Sequence, residues 1–183
     1  MKNVWLALLA VFLMTSPEYT EAGIESWERG ISLRLRSQPV LDVERTLRDI
    51  AALGANFVTI TPGWVTDSIS SSNVVRKATT PPDALLEHTI RYAHALGLKV
   101  MLKPHLDLKD LSRWRANIDP ANKPLFFANY KAMLLHYADM AARGGVEQIA
   151  IGAELHKLST TPGNEPYWRD IIQAMRSRYE GKL

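Results

Sequence analysis

The sequence predicts an α/β chain: a partial, half TIM barrel of four βα units following an N-terminal signal peptide. Three observations carry this expectation. Short β-type runs alternate with longer runs of helical spacing, polar and aromatic residues gather after every strand-like run, and the chain opens on MKNVWLALLAVFLM, with Lys2 ahead of an apolar stretch. Strict succession of strand and helix implies parallel strands joined by right-handed crossovers. An open doubly wound sheet is the competing arrangement, but it concentrates its chemistry at one switch point and, for nucleotides, places a Gly-rich loop after the first strand. The chain contains no GxGxxG and no GKS or GKT, so nucleotide binding is unsupported. Its 183 residues also fall short of the roughly 250 of a complete eight-unit barrel.

Taken in order, the apolar run from Val4 to Met14 is well below the ~20 residues that span a bilayer, so it reads as a cleavable leader over residues 1–22 with no permanent membrane span. The barrel-like part then occupies residues 23–183. A first strand is expected at Gly30 to Leu35. A helix follows from about Asp42 to Leu53, where Val43, Leu47, Ile50 and Leu53 recur at helical spacing and Gly54 ends it. Asn56 to Thr61 is the second strand, followed by a long loop through Trp64 and the SISSSN stretch to Thr80, of a length that is usually functional or mobile.

Pro81, Pro82 and Asp83 open the second helix, whose Leu86, Ile90 and Ala93 face one side until Gly97. Leu98 to Leu102 is the third strand. The third helix, Leu125 to Arg143, presents Phe126, Tyr130, Met133, Tyr137 and Met140 before Gly144 and Gly145 break it. Glu147 to Ile151 is the fourth strand, and Glu165 to Glu180 the fourth helix, with Trp168, Ile172, Met175 and Tyr179 on one face and Gly181 as its cap.

Composition narrows the function. Hydrophobic residues make up 46% of the chain, enough for a real core, and the formal charge is only +3. Lys and Arg are scattered among acids, so the basic face that nucleic acid requires is not visible in the sequence. The absence of cysteine excludes disulfides, thiolate catalysis and Cys-type zinc sites. Export, to the periplasm or the exterior, is expected from the leader alone.

In a barrel the carboxyl ends of the strands share one rim, so Trp64, His105, Asp107, Glu154 and His156 are expected to converge there. Glu154 closes an apolar run, and apolar neighbours such as Ile151 and Leu155 would raise its pKa toward that of a general acid. The competing reading is a helix-start carboxylate stabilised by backbone N–H groups. A zinc or manganese site from His105, Asp107, Glu154 and His156 is conceivable by residue type, but neither HEXXH nor an HXH pair is present, and no metal or cofactor is expected. Trp64 and Trp114 fall in loops, where an indole either stacks on a sugar face or caps the barrel end.

Several ordered pieces carry a resemblance: RGISL at Arg29, GANFVTITP at Gly54, AHALGLKVMLKPHLDL at Ala93, SRWRANI at Ser112, NYKAMLLHYADMAA at Asn129, IGAELHKLS at Ile151 and YWRDIIQAMRSRYEGKL at Tyr167. From about Glu25 onward the chain resembles glycoside hydrolase family 113, the β-mannanase-like barrels of the large retaining clan. The resemblance implies that Glu154 is the general acid/base of a retaining mechanism, with His105, Asp107 and Trp114 lining sugar subsites. It implies a nucleophile after the seventh strand, whereas this sequence reaches only four βα units. Retention needs the two carboxyl groups about 5–5.5 Å apart. Much of the clan has an asparagine where this chain has Ala153, although family 113 tolerates small residues there.

Two expectations follow. The first is the N-terminal half of a secreted glycoside hydrolase acting on an oligo- or polysaccharide and inactive by itself. The second is a non-catalytic half barrel that binds glycan or assembles with a partner. In both, two unpaired sheet edges and an apolar inner face would favour self-association.

Overall fold

Pro62 and Pro104 face each other on neighbouring strands, and that pairing organises the architecture. The computed structural model describes residues 27–110 and 113–183, so the expected signal peptide lies outside the described residues. The strands are β1 (Gly30–Leu33), β2 (Phe57–Ile60), β3 (Gly63–Thr66), β4 (Val75–Arg76), β5 (Lys99–Leu102), β6 (His105–Leu108) and β7 (Gln148–Ile149). The helices are α1 (Val40–Ala52), α2 (Asp83–Ala95), α3 (Lys123–Gly144), α4 (His156–Thr160) and α5 (Glu165–Arg176), with a 3-10 turn at Arg115–Asn117.

The main sheet has the order β1-β2-β5-β7, parallel throughout, so each strand lies beside its predecessor in the βα succession. No switch point exists within it, as a barrel segment requires and a doubly wound sheet does not. Its curvature shows at the amino ends of the strands. Gln148 on the last strand donates from Nε2 to Glu28 Oε1, just before the first, at 3.0 Å.

Phe57 pairs with Lys99 and Gly63 with His105, the same offset of 42 in both registers (99 − 57 and 105 − 63). Thus β2 and β3 are one strand, and β5 and β6 another, each interrupted where a proline supplies no N–H. The Lys103 and His105 N–H groups close the gap by donating to Ile60 O and Pro62 O, both at 2.9 Å. The expected long loop is therefore mostly ordered chain: β3 extends the second strand, and β4 returns antiparallel to it. The SISSSN stretch is tied down by Asn73, which bonds Asp67 and Thr66, and by Asp119 N–H donating to Ile69 O.

Strand alternation divides the side chains. Val58, Ile60, Val100, Leu102, Leu106, Leu108 and Ile149 are buried against the helices. They meet Val43, Leu47 and Ile50 of α1, Leu86 and Ile90 of α2, and Phe126, Tyr130, Met133 and Tyr137 of α3 in one cluster. Each such burial contributes about 1.5–3 kcal/mol before the entropy of ordering is subtracted. The opposite, concave face carries the row Ser32, Thr59, Met101 and Gln148, so the inner face is mixed, not apolar as expected of an open half barrel.

Three details depart from the sequence reading. Leu53 lies beyond the helical run and is 77% exposed, since Gly54 at φ 81 turns the chain away. On α5 the buried positions are Ile171 and Met175, while Ile172 faces the open edge at 40% exposure. Gly181 is no helix cap: α5 ends at Arg176, and a Cβ at 181 would collide with the Tyr179 hydroxyl. That close approach lets Lys182 pair in parallel with Gln148, donating to Glu147 O and accepting from Ile149 N–H in a single bridge on the edge of β7.

Candidate active site

The alternation that builds the core also decides which rim residues reach the concave face. Along β6, Leu106 and Leu108 pack outward against the helices, so His105 and Asp107 point inward. Trp64 is the register partner of Leu106 and therefore points outward. Its indole N–H donates to the Tyr137 hydroxyl of α3 at 2.8 Å, and Arg76 lies 5.5 Å above its ring. Trp64 is thus a packing residue rather than a sugar platform, which corrects the sequence reading. The expected loop is a strand there, and its parity turns the indole away from the rim.

Asp107 is the buried centre of the rim, 5% exposed. Lys77 Nζ and Arg34 Nη2 reach its Oδ2 at 2.8 and 3.1 Å, and Arg115 Nη2 reaches Oδ1 at 2.9 Å. Burial alone would raise its pKa, but the Lys77 hydrogen bond and the three cations together hold it below the ordinary carboxylate value. Gly63 makes room for this cluster: a Cβ there would lie 3.2 Å from Lys77 Nζ. With both oxygens engaged, Asp107 organises cations and does not present a free carboxylate to a ligand.

Glu154 stands beyond β7 in the left-handed conformation, φ 57, among the described residues the sole non-glycine to do so. For an L-residue this costs roughly 1–2 kcal/mol, and such strain gathers at functional positions. Behind it, the buried Tyr130 donates its hydroxyl to Ile151 O at 3.0 Å and so fixes the turn. Trp168 Nε1 and Asn164 Nδ2 both bond Leu158 O, anchoring the short α4 that follows.

The Glu154 side chain is 49% exposed and points across to the segment after β6. Trp114 Nε1 donates to its Oε2 at 2.9 Å, and Arg115 Nε lies 3.7 Å from the same oxygen. The Trp114 hydrogen bond first, and the Arg115 charge second, hold its pKa below the ordinary value. This reverses the expectation of an acid raised by apolar neighbours. Leu155 is buried, but the carboxylate itself is turned into a polar, open rim.

Arg115 therefore joins the two carboxylates, bonding Asp107 with one nitrogen and facing Glu154 with another, while its Nη1 is buried without a hydrogen-bond partner. His105 shares this interior. Burial and then the Arg115 charge push its imidazole below its ordinary pKa, and its Nε2 is buried and unpartnered. It is neutral at neutral pH. His156 begins α4 exposed and lines a cleft together with Glu154. Among the described residues, no three His, Cys, Asp or Glu side chains come together to hold a metal ion, and no helix is long and apolar enough to cross a membrane.

Of the residues singled out in the sequence, Trp114, Glu154, Asp107 and His105 meet at one rim, and Trp64 does not. Arg115, Lys77 and Arg34 were missed. Arg115 adjoins Trp114 in SRWRANI and was legible by proximity. Arg34 and Lys77 carry no local signal, because only the sheet brings them to Asp107. Beside Glu154 opens a cleft of about 580 Å³ lined by Ile151, Leu155, Trp168 and Ile172.

Comparison with known proteins agrees with this fold. Residues 41–183 match the sequence profile of Glycoside Hydrolase Family 113. Among solved structures, the chain is similar to the family 113 β-mannanase AaManA from Alicyclobacillus acidocaldarius in complex with ManMIm (26% identity, TM-score 0.76, covering 85% of this chain and 52% of that one). It is also similar to a family 113 β-1,4-mannanase, at 24% identity and TM-score 0.75, covering 83% of this chain and 52% of that one. A GH5_18 protein from Streptomyces cattleya shares the fold at 18% identity and TM-score 0.56, covering 79% of this chain and 38% of that one. The chain thus spans about half the length of the family 113 structures it resembles. No match is found among curated proteins.

Proposed function

Because this chain belongs to glycoside hydrolase family 113, we propose that it supplies the acid/base side of a retaining glycosidase site for β-linked mannan-type saccharides. Glu154 is the proton donor to the glycosidic oxygen and, in the second half-reaction, the base that activates water. The observation that carries this reading is the strained φ of 57 at Glu154, maintained while its carboxylate is oriented by Trp114 and Arg115. Trp114, 60% exposed, offers its ring face to a sugar while its N–H holds the acid.

Covalent attack on the anomeric carbon requires a second carboxylate. Asp107 shares Arg115 with Glu154, but it is buried under three cations and cannot approach a substrate. In this reading the nucleophile belongs to the complementary part of a barrel, and the 183-residue chain binds saccharide without turning it over. The low pKa of Glu154 fits the same reading. Coverage of the half-exposed rim by substrate and further barrel would desolvate this carboxylate and raise its pKa toward that of a proton donor.

The test is a titration with β-1,4-mannotetraose followed by tryptophan fluorescence and NMR. Binding that perturbs the Trp114 indole and Glu154, together with absent hydrolysis, is the expected result. Hydrolysis by the chain, lost in Glu154→Gln, would retain the acid role but overturn the proposed inactivity. No response at Trp114 would remove the saccharide reading.

A second reading, assembly with a partner, is favoured by exposed Trp27, Ile31, Leu41 and Leu53, which lie on or near the β1–α1 edge. A native mass above that of one chain is expected, and a monomer at high concentration would overturn it. Export is likewise proposed on the leader-like residues 1–22, and the N-terminal sequence of mature protein recovered outside the cytoplasm tests it.

A further inference from the structure

On the rim opposite Glu154 the fold assembles a basic groove that no linear stretch of the sequence announces. A cleft of about 510 Å³ is lined by Arg34, Arg36, Arg76, Lys77 and Lys109, with Asp67 as its acid. These cations come from three separate places: Arg34 and Arg36 from the segment after β1, Arg76 and Lys77 from β4 and the chain just beyond it, and Lys109 from the end of β6. Val65, Val75 and Leu108 supply the apolar part of the lining.

Internal pairing does not neutralise the groove. Asp107 takes Lys77 and one nitrogen of Arg34, Asp83 takes Arg76, and Lys109 only approaches Asp67 at 3.9 Å. Five cations thus face three carboxylates. Arg34 remains 55% exposed and Lys109 75%. Arg36 is exposed and has no ion pair among the described residues. An exposed arginine fork over an apolar floor suits a planar or tetrahedral anion attached to a ring.

We propose that this groove is a binding site for an anionic saccharide, whose carboxylate or phosphate is taken by Arg36, Arg34 and Lys109 while its ring lies over Val65 and Val75. The proposal rests on the reading of the rim as a saccharide cleft, because Arg34 joins the groove directly to the Asp107–Arg115–Glu154 network. It gives that cleft a charge preference at the end remote from the acid. Nucleic acid is the less suited polyanion. The groove is pocket-sized rather than an extended track, and its neighbouring indole, Trp64, is turned outward under Arg76 and cannot stack on bases.

The test is calorimetric titration of the protein with tetragalacturonate, mannose 6-phosphate, β-1,4-mannotetraose and a single-stranded oligonucleotide. Tetragalacturonate or mannose 6-phosphate is expected to bind with an affinity that falls as salt is raised. Arg36→Glu combined with Lys109→Ala should weaken that binding by at least about tenfold, or 1.4 kcal/mol, and leave mannotetraose unchanged. Both side chains are exposed, so folding is preserved, and circular dichroism verifies it. Equal binding of charged ligands by wild type and variant, or binding of neither charged ligand, would overturn the proposal, as would an oligonucleotide that displaces them at equal concentration. Loss of mannotetraose binding alone would count against the mannan reading and leave the groove standing.

Discussion

The indole N–H of Trp114 donates to Glu154 Oε2 at 2.9 Å, joining the segment after β6 to the turn after β7. The indole and the adjacent Arg115 guanidinium thereby share one oxygen of a residue 40 positions from Trp114. The first prediction follows from this bond. Trp114→Phe keeps a ring and removes the donor, so the Glu154 pKa should move up toward its ordinary value, by an NMR titration of the side-chain carboxyl carbon. An unchanged titration would assign the depression to the neighbouring positive charges, Arg115 first.

Asp107 governs the rim through charge. Asp107→Asn leaves Arg34, Lys77 and Arg115 without their shared anion, at a cost of roughly 2–3 kcal/mol, below the usual figure for a fully buried pair because Arg34 is solvated. The midpoint of thermal unfolding should drop by about 5–10 °C.

The same residue sets a pH dependence. Its folded pKa lies below the ordinary carboxylate value, so its contribution is fully present above that ordinary value and is lost as pH falls through the lower, folded one. Denaturant titrations below pH 4 should show wild type losing stability more steeply than Asp107→Asn. Parallel slopes would contradict the assignment.

Gly63→Ala places a Cβ 3.2 Å from Lys77 Nζ and 3.5 Å from Asp107 Oδ2. The lysine, being flexible, moves, and the Lys77–Asp107 bond is the loss, about 1–2 kcal/mol. Once Lys77 is already alanine, Gly63→Ala should cost much less, and a double-mutant cycle reads the coupling. Additive effects would mean that the backbone, not Lys77, absorbs the added carbon.

At φ 57, Glu154 pays for its position in backbone strain. Glu154→Gly should fold about 1 kcal/mol more stably than Glu154→Ala, since glycine adopts this conformation without penalty. Equal stabilities by urea titration would mean that the turn relaxes once the glutamate is removed.

Much of the fold was readable from residue periodicity. Val43, Leu47 and Ile50, and then Phe126, Tyr130, Met133 and Tyr137, are buried as their spacing required, because a helix with an apolar stripe has one way to lie on a sheet. The strands beyond Pro62 and Pro104 were not readable in the same way. Proline ends a strand by local rules, and only the partner strand, in register across the gap, shows that pairing resumes. That hidden continuation is why Trp64 was expected on the rim and is found packed against Tyr137.

The candidate site divides along the same line. Glu154 was legible as a candidate where it stands, because a carboxylate closing an apolar run, within motifs of a known family, is a local feature of the chain. Its electrostatic state was not, since the pKa depends on Trp114 and Arg115, some 40 residues away in sequence. Periodicity and motif settled the order of the βα units and the family. Tertiary structure alone decided which charges meet: Arg34, Lys77 and Arg115 around Asp107, and Arg36 and Lys109 along an open groove. The physical reason is range. Backbone preference and amphipathicity act between residues a few positions apart, whereas Coulomb and hydrogen-bond terms act between whatever side chains the sheet curvature brings within a few ångströms.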